Sequence, residues 1–99
     1  MVTREILLDN GFKFREYEGS NFPGEVKWTP EGEYTKTIDG NKFITISYSR
    51  LFKWKYEILN TTEHIRFIVD CQDVIHIDKL NTLIAIANIP FELKKHYGK

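Results

Sequence analysis

Apolar and polar residues alternate along most of the chain, with the period of two that is typical of β-strands. In Phe12–Glu18, two phenylalanines face one way and two basic residues face the other. In Phe52–Ile58, four apolar residues share one face and three charged residues share the opposite face. The residues Asn60–Glu63 predict a turn, after which His64–Val69 returns as another strand.

A β-hairpin is predicted in the middle of the chain. The β-branched stretches Glu33–Ile38 and Asn41–Tyr48 are separated by Asp39-Gly40. Asp-Gly between such stretches is a strong hairpin signal, because both residues adopt positive φ at low cost. The preceding segment, Gly19–Gly32, is rich in Gly, Pro, Ser and Asn and is long for a loop. Either Glu25–Thr29 forms a short strand within it, or the loop is functional.

The N-terminal residues predict a short helix. Thr3 is suited to cap it, and Val2 and Leu7 have the spacing of a hydrophobic staple. Asn10-Gly11 supplies a stop signal. Because two turns of helix are unstable alone in water, we expect this helix to pack on another element.

The C-terminal part predicts a longer helix. Asp78 is suited to be its N-cap, and Pro90 is expected to end it. One apolar stripe follows the helical spacing i, i+3, i+4, i+7, formed by Leu80, Leu83, Ile84 and Ala87.

These elements together predict one α+β domain spanning residues 1–99. We expect an antiparallel sheet of four or five strands, with the short N-terminal helix and the longer C-terminal helix on its one apolar face. The basic tail, residues 94–99, is expected to be flexible. Aromatic residues make up 14% of the chain, which suits a small domain that must build its core from few side chains.

Charge and cysteine content exclude several classes of function and site. The 14 basic residues balance the 14 acidic ones, so no global field attracts nucleic acid or an anionic membrane. Cys71 is the only cysteine, which excludes an intrachain disulfide and a cysteine-based zinc cluster. The residues after Met1 do not resemble a signal peptide and no apolar run is long enough to span a membrane, so we expect a cytoplasmic protein. No motif indicates a cofactor or an enzymatic activity.

An acidic segment offers a protein-binding surface. Between residues 16 and 33 there are five glutamates and one lysine, and Trp28 lies among them in a loop bounded by Pro and Gly. Exposed tryptophans are over-represented in interface hot spots. The candidate partner-binding residues are Trp28, Glu25, Glu31 and Glu33. The alternative is a solvated edge, because charge on an edge strand also prevents aggregation.

A basic segment offers a nucleic-acid surface. From Lys42 to Arg66 there are five basic and two acidic residues, interleaved with aromatic residues that could stack on bases. The candidate nucleic-acid-binding residues are Arg50, Lys53, Lys55 and Arg66. The alternation itself argues for an ordinary strand, with Trp54 and Tyr56 in the core and the cations on the opposite face.

Two further groups of residues carry side chains that could bind a metal or act as a nucleophile. Asp70, Asp73, His76 and Asp78 are residue types that bind divalent metals, but their spacing matches no known loop. Cys71 would need a nearby base to act as a nucleophile, and beside two valines it is typical of a small buried residue. We therefore predict no metal site and no catalytic residue.

Two stretches resemble small, largely uncharacterised proteins of Bacteroidota phages and mobile elements. They are Ile6–Phe12, with its "LL…GF" pattern, and Val74–Leu93, with its "V…L..L", helix and "..L" pattern. The resemblance implies an α+β fold and a mobile-element origin. The leading hypothesis is a non-enzymatic accessory factor that binds a host protein, for example as an inhibitor of a defence nuclease such as a CRISPR effector. The alternative is nucleic-acid binding, and a free sheet edge could also pair into a homodimer.

Overall fold

A computed structural model describes residues 1–17 and 31–95 of the chain. The elements are α1 (Arg4–Asp9), β1 (Lys13–Glu16), β2 (Gly32–Ile38), β3 (Lys42–Ser49), β4 (Lys53–Asn60), β5 (Ile65–Gln72) and α2 (Ile77–Ile86). The strands form one antiparallel sheet in the order β1-β2-β3-β4-β5, so each strand pairs with the one before it. This confirms the predicted α+β fold, with five strands and two helices. The possible strand Glu25–Thr29 lies outside the described residues.

The β2–β3 hairpin forms where the Asp-Gly pair predicts it. Asp39 and Gly40 have φ values of 56° and 74°, and the Asn41 N–H donates to the Ile38 carbonyl at 3.4 Å. Both positive φ values match the right-handed twist of the flanking strands. The register that follows places Thr35 opposite Thr45 and Tyr34 opposite Ile46.

Strand register divides the sheet into a buried face and an open face. One transverse row on the buried face runs Phe14, Tyr34, Ile46, Tyr56 and Val69. The three central side chains of this row are at most 2% exposed. These three side chains belong to the core cluster that also contains the buried residues of both helices.

Both helices pack on the buried face, as predicted. Leu7 of α1 and Leu80 and Ile84 of α2 are fully buried in the same core cluster as the sheet side chains. The opposite face carries no helix within the described ranges. We call it the open face, and its central row runs Lys13, Thr35, Thr45, Glu57 and Ile68.

The ends of α1 follow the sequence signals. The Ile6 N–H donates to Thr3 Oγ1 at 3.2 Å, and Val2 and Leu7 are both buried. Asn10 is the C-cap, and Gly11 follows with a φ of 87°, a conformation that favours glycine. The predicted N-cap and stop of this helix are therefore confirmed.

The ends of α2 differ from the prediction. His76, and not Asp78, occupies the N-cap position, so Asp78 lies in the first turn, where its charge suits the helix dipole. At the other end, Asn88 has a φ of 59°, and the Ile89 N–H donates to the Ile84 carbonyl. This is a Schellman motif with Asn in the left-handed position. The helix therefore ends at Ile86, before Pro90 can act on it.

Asparagine side chains hold the C-terminal segment in place. Asn10 donates to the Lys94 carbonyl at 2.9 Å and accepts from the Lys94 N–H at 3.0 Å. Asn81 makes the same paired contact with the backbone of Leu93, at 3.0 and 2.8 Å. Lys94, placed by the sequence analysis in a flexible tail, is thus bound to the end of α1. Residues 96–99 lie outside the described residues.

No helix in the described part of the chain is both long enough and apolar enough to cross a membrane.

Candidate functional site

The β3–β4 turn presents two large apolar side chains to solvent. Leu51 is 79% exposed and Phe52 is 73% exposed. Apart from the N-terminal methionine, the most exposed of the other large apolar side chains in the described ranges is Ile86, at 56%. Adjacent exposed apolar side chains at the tip of a turn are typical of an interaction site.

The local backbone explains why Phe52 leaves the core. Lys53 has a φ of 61°, which is uncommon for a lysine, and the Phe52 N–H donates to Ser49 Oγ at 3.0 Å. This left-handed residue interrupts the alternation before β4, so Trp54 enters the core while Phe52 remains outside. The expectation that Phe52 shares the apolar face of the strand is therefore wrong.

A groove lies beside this turn and is open to solvent. Its volume is about 480 Å³. Its lining combines aromatic, basic and acidic side chains, including Tyr17, Tyr48, Phe52, Lys53, Lys55 and Asp70. We call this groove, with its lining residues including Leu51, the turn groove. It offers apolar contact, hydroxyl groups for hydrogen bonding and two cations.

Two tyrosines border the turn groove, Tyr17 from the open face and Tyr48 from a position whose ring lies on the buried face. The Tyr48 ring packs on Trp54 with the ring centroids 4.9 Å apart. The Tyr17 N–H donates to the Glu31 carbonyl at 3.0 Å, and its hydroxyl is hydrogen-bonded to Ser47. Burial, with the Glu33 carboxylate as a second cause, raises the pKa of Tyr17. Packing on Trp54 therefore holds the Tyr48 ring on the buried face, whereas Tyr17 lies on the open face beside the groove.

The acidic candidate residues that the structure describes are engaged in ion pairs. Glu33 accepts a hydrogen bond from Arg15 at 2.8 Å, and this contact raises the pKa of Arg15. Glu31 accepts from the Arg50 backbone N–H at 2.6 Å and lies 3.7 Å from its guanidinium. The acidic segment therefore meets the basic one at Glu31 and Arg50. Glu25 and Trp28 lie outside the described residues.

The basic candidate residues do not form one continuous stripe. Lys53 and Lys55 line the turn groove, and Arg50 lies in the same turn. Arg66 lies farther along β5, opposite Leu59, and donates to the carboxylate of Glu57. Trp54 and Tyr56 are buried in the core, as the ordinary-strand interpretation predicts. Of the four basic candidates, Lys53 and Lys55 are therefore the two that line the turn groove.

Four of the five residues that could serve metal or thiol chemistry lie around one pocket, and the fifth does not. Asp70, Cys71, Asp73 and His76 line a second pocket of about 340 Å³, whereas Asp78 does not. No group of three metal-binding side chains with suitable geometry occurs in residues 1–17 and 31–95. Burial raises the pKa of the Cys71 thiol, which disfavours the reactive thiolate.

One buried hydroxyl in this region has no partner. Tyr56 is 2% exposed, and its hydroxyl makes no hydrogen bond. Burial, with Cys71 as a smaller cause, raises the pKa of Tyr56 to about 12. Tyr56 lines the same pocket, but its hydroxyl oxygen is buried from solvent, so we interpret the missing hydrogen bond as a cost to stability.

Sequence reasoning missed the exposure of Leu51 and Phe52 and the part played by Tyr17. No glycine or asparagine marks the left-handed residue, because Lys53 occupies that position. Tyr17 reaches the turn groove only because β1 pairs with β2 beyond a long intervening segment. Neither feature leaves a local signal in the sequence.

The chain matches no family model, and neither the curated proteins nor the solved structures contain a significant match. The site is therefore interpreted from its own residues.

Proposed function

We propose that this chain is a non-enzymatic protein-binding factor whose partner docks on the turn groove. The observation that carries the proposal is the exposure of Leu51 and Phe52, at 79% and 73%, beside a groove of about 480 Å³. Fully burying one such side chain contributes about 1.5–3 kcal/mol. Two together form an anchor of the size found at interface hot spots.

The turn groove also defines the chemistry of the partner. Lys53 and Lys55 have no salt-bridge partner within the described residues, and a protein carboxylate could engage either of them. The Tyr17 hydroxyl offers hydrogen bonding at the groove wall. The proposed partner therefore has an apolar pocket that receives Leu51 and Phe52. It also places acidic side chains beside the two lysines.

The resemblance to phage and mobile-element proteins indicates which partner to test first. A host protein fits this origin, and a defence nuclease such as a CRISPR effector is the specific form of the hypothesis. In that form, binding in the host cytoplasm inhibits the nuclease.

The test is affinity capture with the full chain. Tagged wild-type protein is incubated with host lysate, with and without added nuclease, and captured proteins are identified by mass spectrometry. The leading protein is then purified and its affinity is measured directly. We expect Leu51→Ser with Phe52→Ser to weaken that affinity at least about tenfold, equal to about 1.4 kcal/mol.

Ile86→Ser is the matched control, because Ile86 is an exposed apolar side chain on α2. It should leave the affinity unchanged. The proposal is contradicted if Ile86→Ser loses as much affinity as the Leu51→Ser, Phe52→Ser double variant. It is also contradicted if the double variant is folded and binds with full affinity. The earlier candidate surface is tested in the same assay by Trp28→Ala and by charge reversal at Glu25, Glu31 and Glu33.

Nucleic-acid binding is the second candidate, and one observation favours it. The turn groove places Lys53 and Lys55 beside Tyr17 and Phe52, which combines cations with aromatic rings. Such a combination suits the phosphates and bases of a single strand.

Salt dependence separates the two candidates. Nucleic-acid binding should weaken steeply as salt rises, and Lys53→Glu with Lys55→Glu should abolish it. Lys13→Glu, at an exposed lysine on β1 that does not line the turn groove, is the control. No binding of any oligonucleotide at low salt excludes this candidate.

A further inference from the structure

The two edges of the sheet differ in how well they are protected. β1 has four residues, three of which are charged and exposed. β5 has eight residues and alternates half-buried apolar side chains with exposed ones. Within the described residues, the β5 backbone is paired only with β4. The register shifts at Cys71, between the pairs Trp54–Gln72 and Lys55–Asp70, which leaves Ile65–Asp70 as a regular strand. A regular edge of this length accepts another strand.

The sequence of β5 is complementary to itself. Around Ile68, the residues Arg66-Phe67-Ile68-Val69-Asp70 carry opposite charges at equal distances on either side. Antiparallel pairing of two copies centred on Ile68 sets Arg66 opposite Asp70 of the partner subunit twice. It also sets Phe67 opposite Val69 of the partner subunit twice. Such an isologous contact closes into a dimer.

We propose that the chain forms a homodimer by antiparallel pairing of β5 with β5 of a second copy, with Ile68 on the twofold axis. Arg66, Ile68 and Asp70 then face the open side of a continuous sheet built from both copies. Ile68 is 50% exposed in the single chain, so it is available for this contact. The proposal goes beyond the proposed function and does not depend on it.

Other symmetric registers are less favourable. Centring the pair on Phe67 or on Val69 sets Ile68 opposite a charged residue. Centring it on Arg66 or on Asp70 sets like charges opposite each other, which is destabilising. The register centred on Ile68 is the one that pairs every charge with its opposite.

The neighbouring strand strengthens this charge pattern. Lys55 lies opposite Asp70 within one chain, and Arg66 donates to Glu57. Across the dimer, Asp70 therefore lies between Lys55 of its own chain and Arg66 of the partner subunit. Because Asp70 lines the turn groove, the dimer also brings Arg66 of the partner subunit to the rim of that groove.

Sedimentation velocity over a range of concentrations tests the proposal. We expect the wild-type chain to form a dimer. Arg66→Asp sets two pairs of carboxylates against each other and should weaken the dimer at least about tenfold, a change of about 1.4 kcal/mol in the free energy of association. Combining Arg66→Asp with Asp70→Arg restores opposite charges and should restore the dimer.

The charge-swap pair distinguishes the dimer contact from the fold. Circular dichroism and thermal unfolding verify that each variant remains folded. Lys13→Asp, on the opposite edge, is the matched control and should leave the dimer intact. A wild-type chain that stays monomeric at every concentration overturns the proposal. A dimer that survives Arg66→Asp, or that the double variant fails to restore, overturns it as well.

Disulfide trapping tests the register directly. In a Cys71→Ser background, Ile68→Cys places two thiols across the twofold axis, at a separation that a disulfide can span. Oxidation should therefore yield a covalent dimer. Thr37 is an exposed position on the interior strand β2, so Thr37→Cys should give none. Equal cross-linking at both positions, or none at position 68, contradicts pairing centred on Ile68.

Discussion

The side chain of Asn60 donates a 2.7 Å hydrogen bond to the backbone carbonyl of Ala87, joining the end of β4 to the end of α2. Its Oδ1 also accepts from the Glu63 N–H at 3.1 Å, inside the β4–β5 turn. Asn60 is fully buried. One amide at the end of β4 therefore satisfies two backbone groups, a carbonyl at the helix C-terminus and an N–H in the turn.

We expect Asn60→Ala to lower the free energy of unfolding by about 1–3 kcal/mol, because it leaves buried backbone groups unsatisfied. Chemical denaturation measures this change. Asn41→Ala is the control, since the Asn41 side chain bonds to Thr62 at the surface. It should cost less than about 0.5 kcal/mol. Equal losses would mean that burial of the amide is unimportant.

Two buried tyrosines should respond to loss of the hydroxyl with opposite signs. The Tyr56 hydroxyl has no partner, whereas Arg4 donates to the Tyr34 hydroxyl at 2.7 Å. Tyr56→Phe should leave stability unchanged or raise it by about 1 kcal/mol, and Tyr34→Phe should lower it by about 0.5–1.5 kcal/mol. Thermal unfolding of both variants measures these changes in stability. A marked loss of stability in Tyr56→Phe would contradict the prediction.

Stability should fall in alkaline solution. Burial raises the pKa of Tyr56 from 10.0 to about 12, so the folded chain retains a proton that the unfolded chain releases. The contribution is complete below pH 10.0 and is lost as the pH rises through about 12. A shift of this size amounts to roughly 2–3 kcal/mol.

Denaturation at a series of alkaline pH values measures this dependence. Burial also raises the pKa of Tyr34 and Cys71, which act in the same direction. Tyr56→Phe isolates the Tyr56 contribution and should flatten the decline. If Tyr56→Phe loses stability with pH as steeply as the wild type does, Tyr56 is not a source of the decline.

Gly32 should not accept a larger residue. A Cβ at this position would overlap the Arg15 carbonyl oxygen and the Phe14 ring, both on the neighbouring strand. Because a backbone atom cannot move aside cheaply, Gly32→Ala should cost about 1–3 kcal/mol. Thr35→Ala, on the same strand, removes atoms and is the control. Denaturant midpoints compare the two, and equal midpoints would contradict the steric argument.

Local signals in the sequence determined most of the secondary structure. The Asp39-Gly40 turn, the alternation in β4 and β5, and the stripe on α2 depend on residues close together in the chain. Each signal reflects a backbone preference or a period that the residues carry themselves, so the antiparallel α+β arrangement could be predicted. The end of α2 could not, because Asn88 competes with Pro90 as a stop.

The tertiary structure decided which surfaces are available. The pairing of Glu31 with Arg50 joins two segments that the sequence presents as separate acidic and basic surfaces. The left-handed Lys53 moves Phe52 into solvent, and strand order alone makes β5 an edge. These outcomes depend on contacts between residues far apart in the chain and on one unfavourable backbone conformation. Composition and periodicity report apolar content and its spacing, whereas exposure is determined by what the rest of the fold places against each side chain.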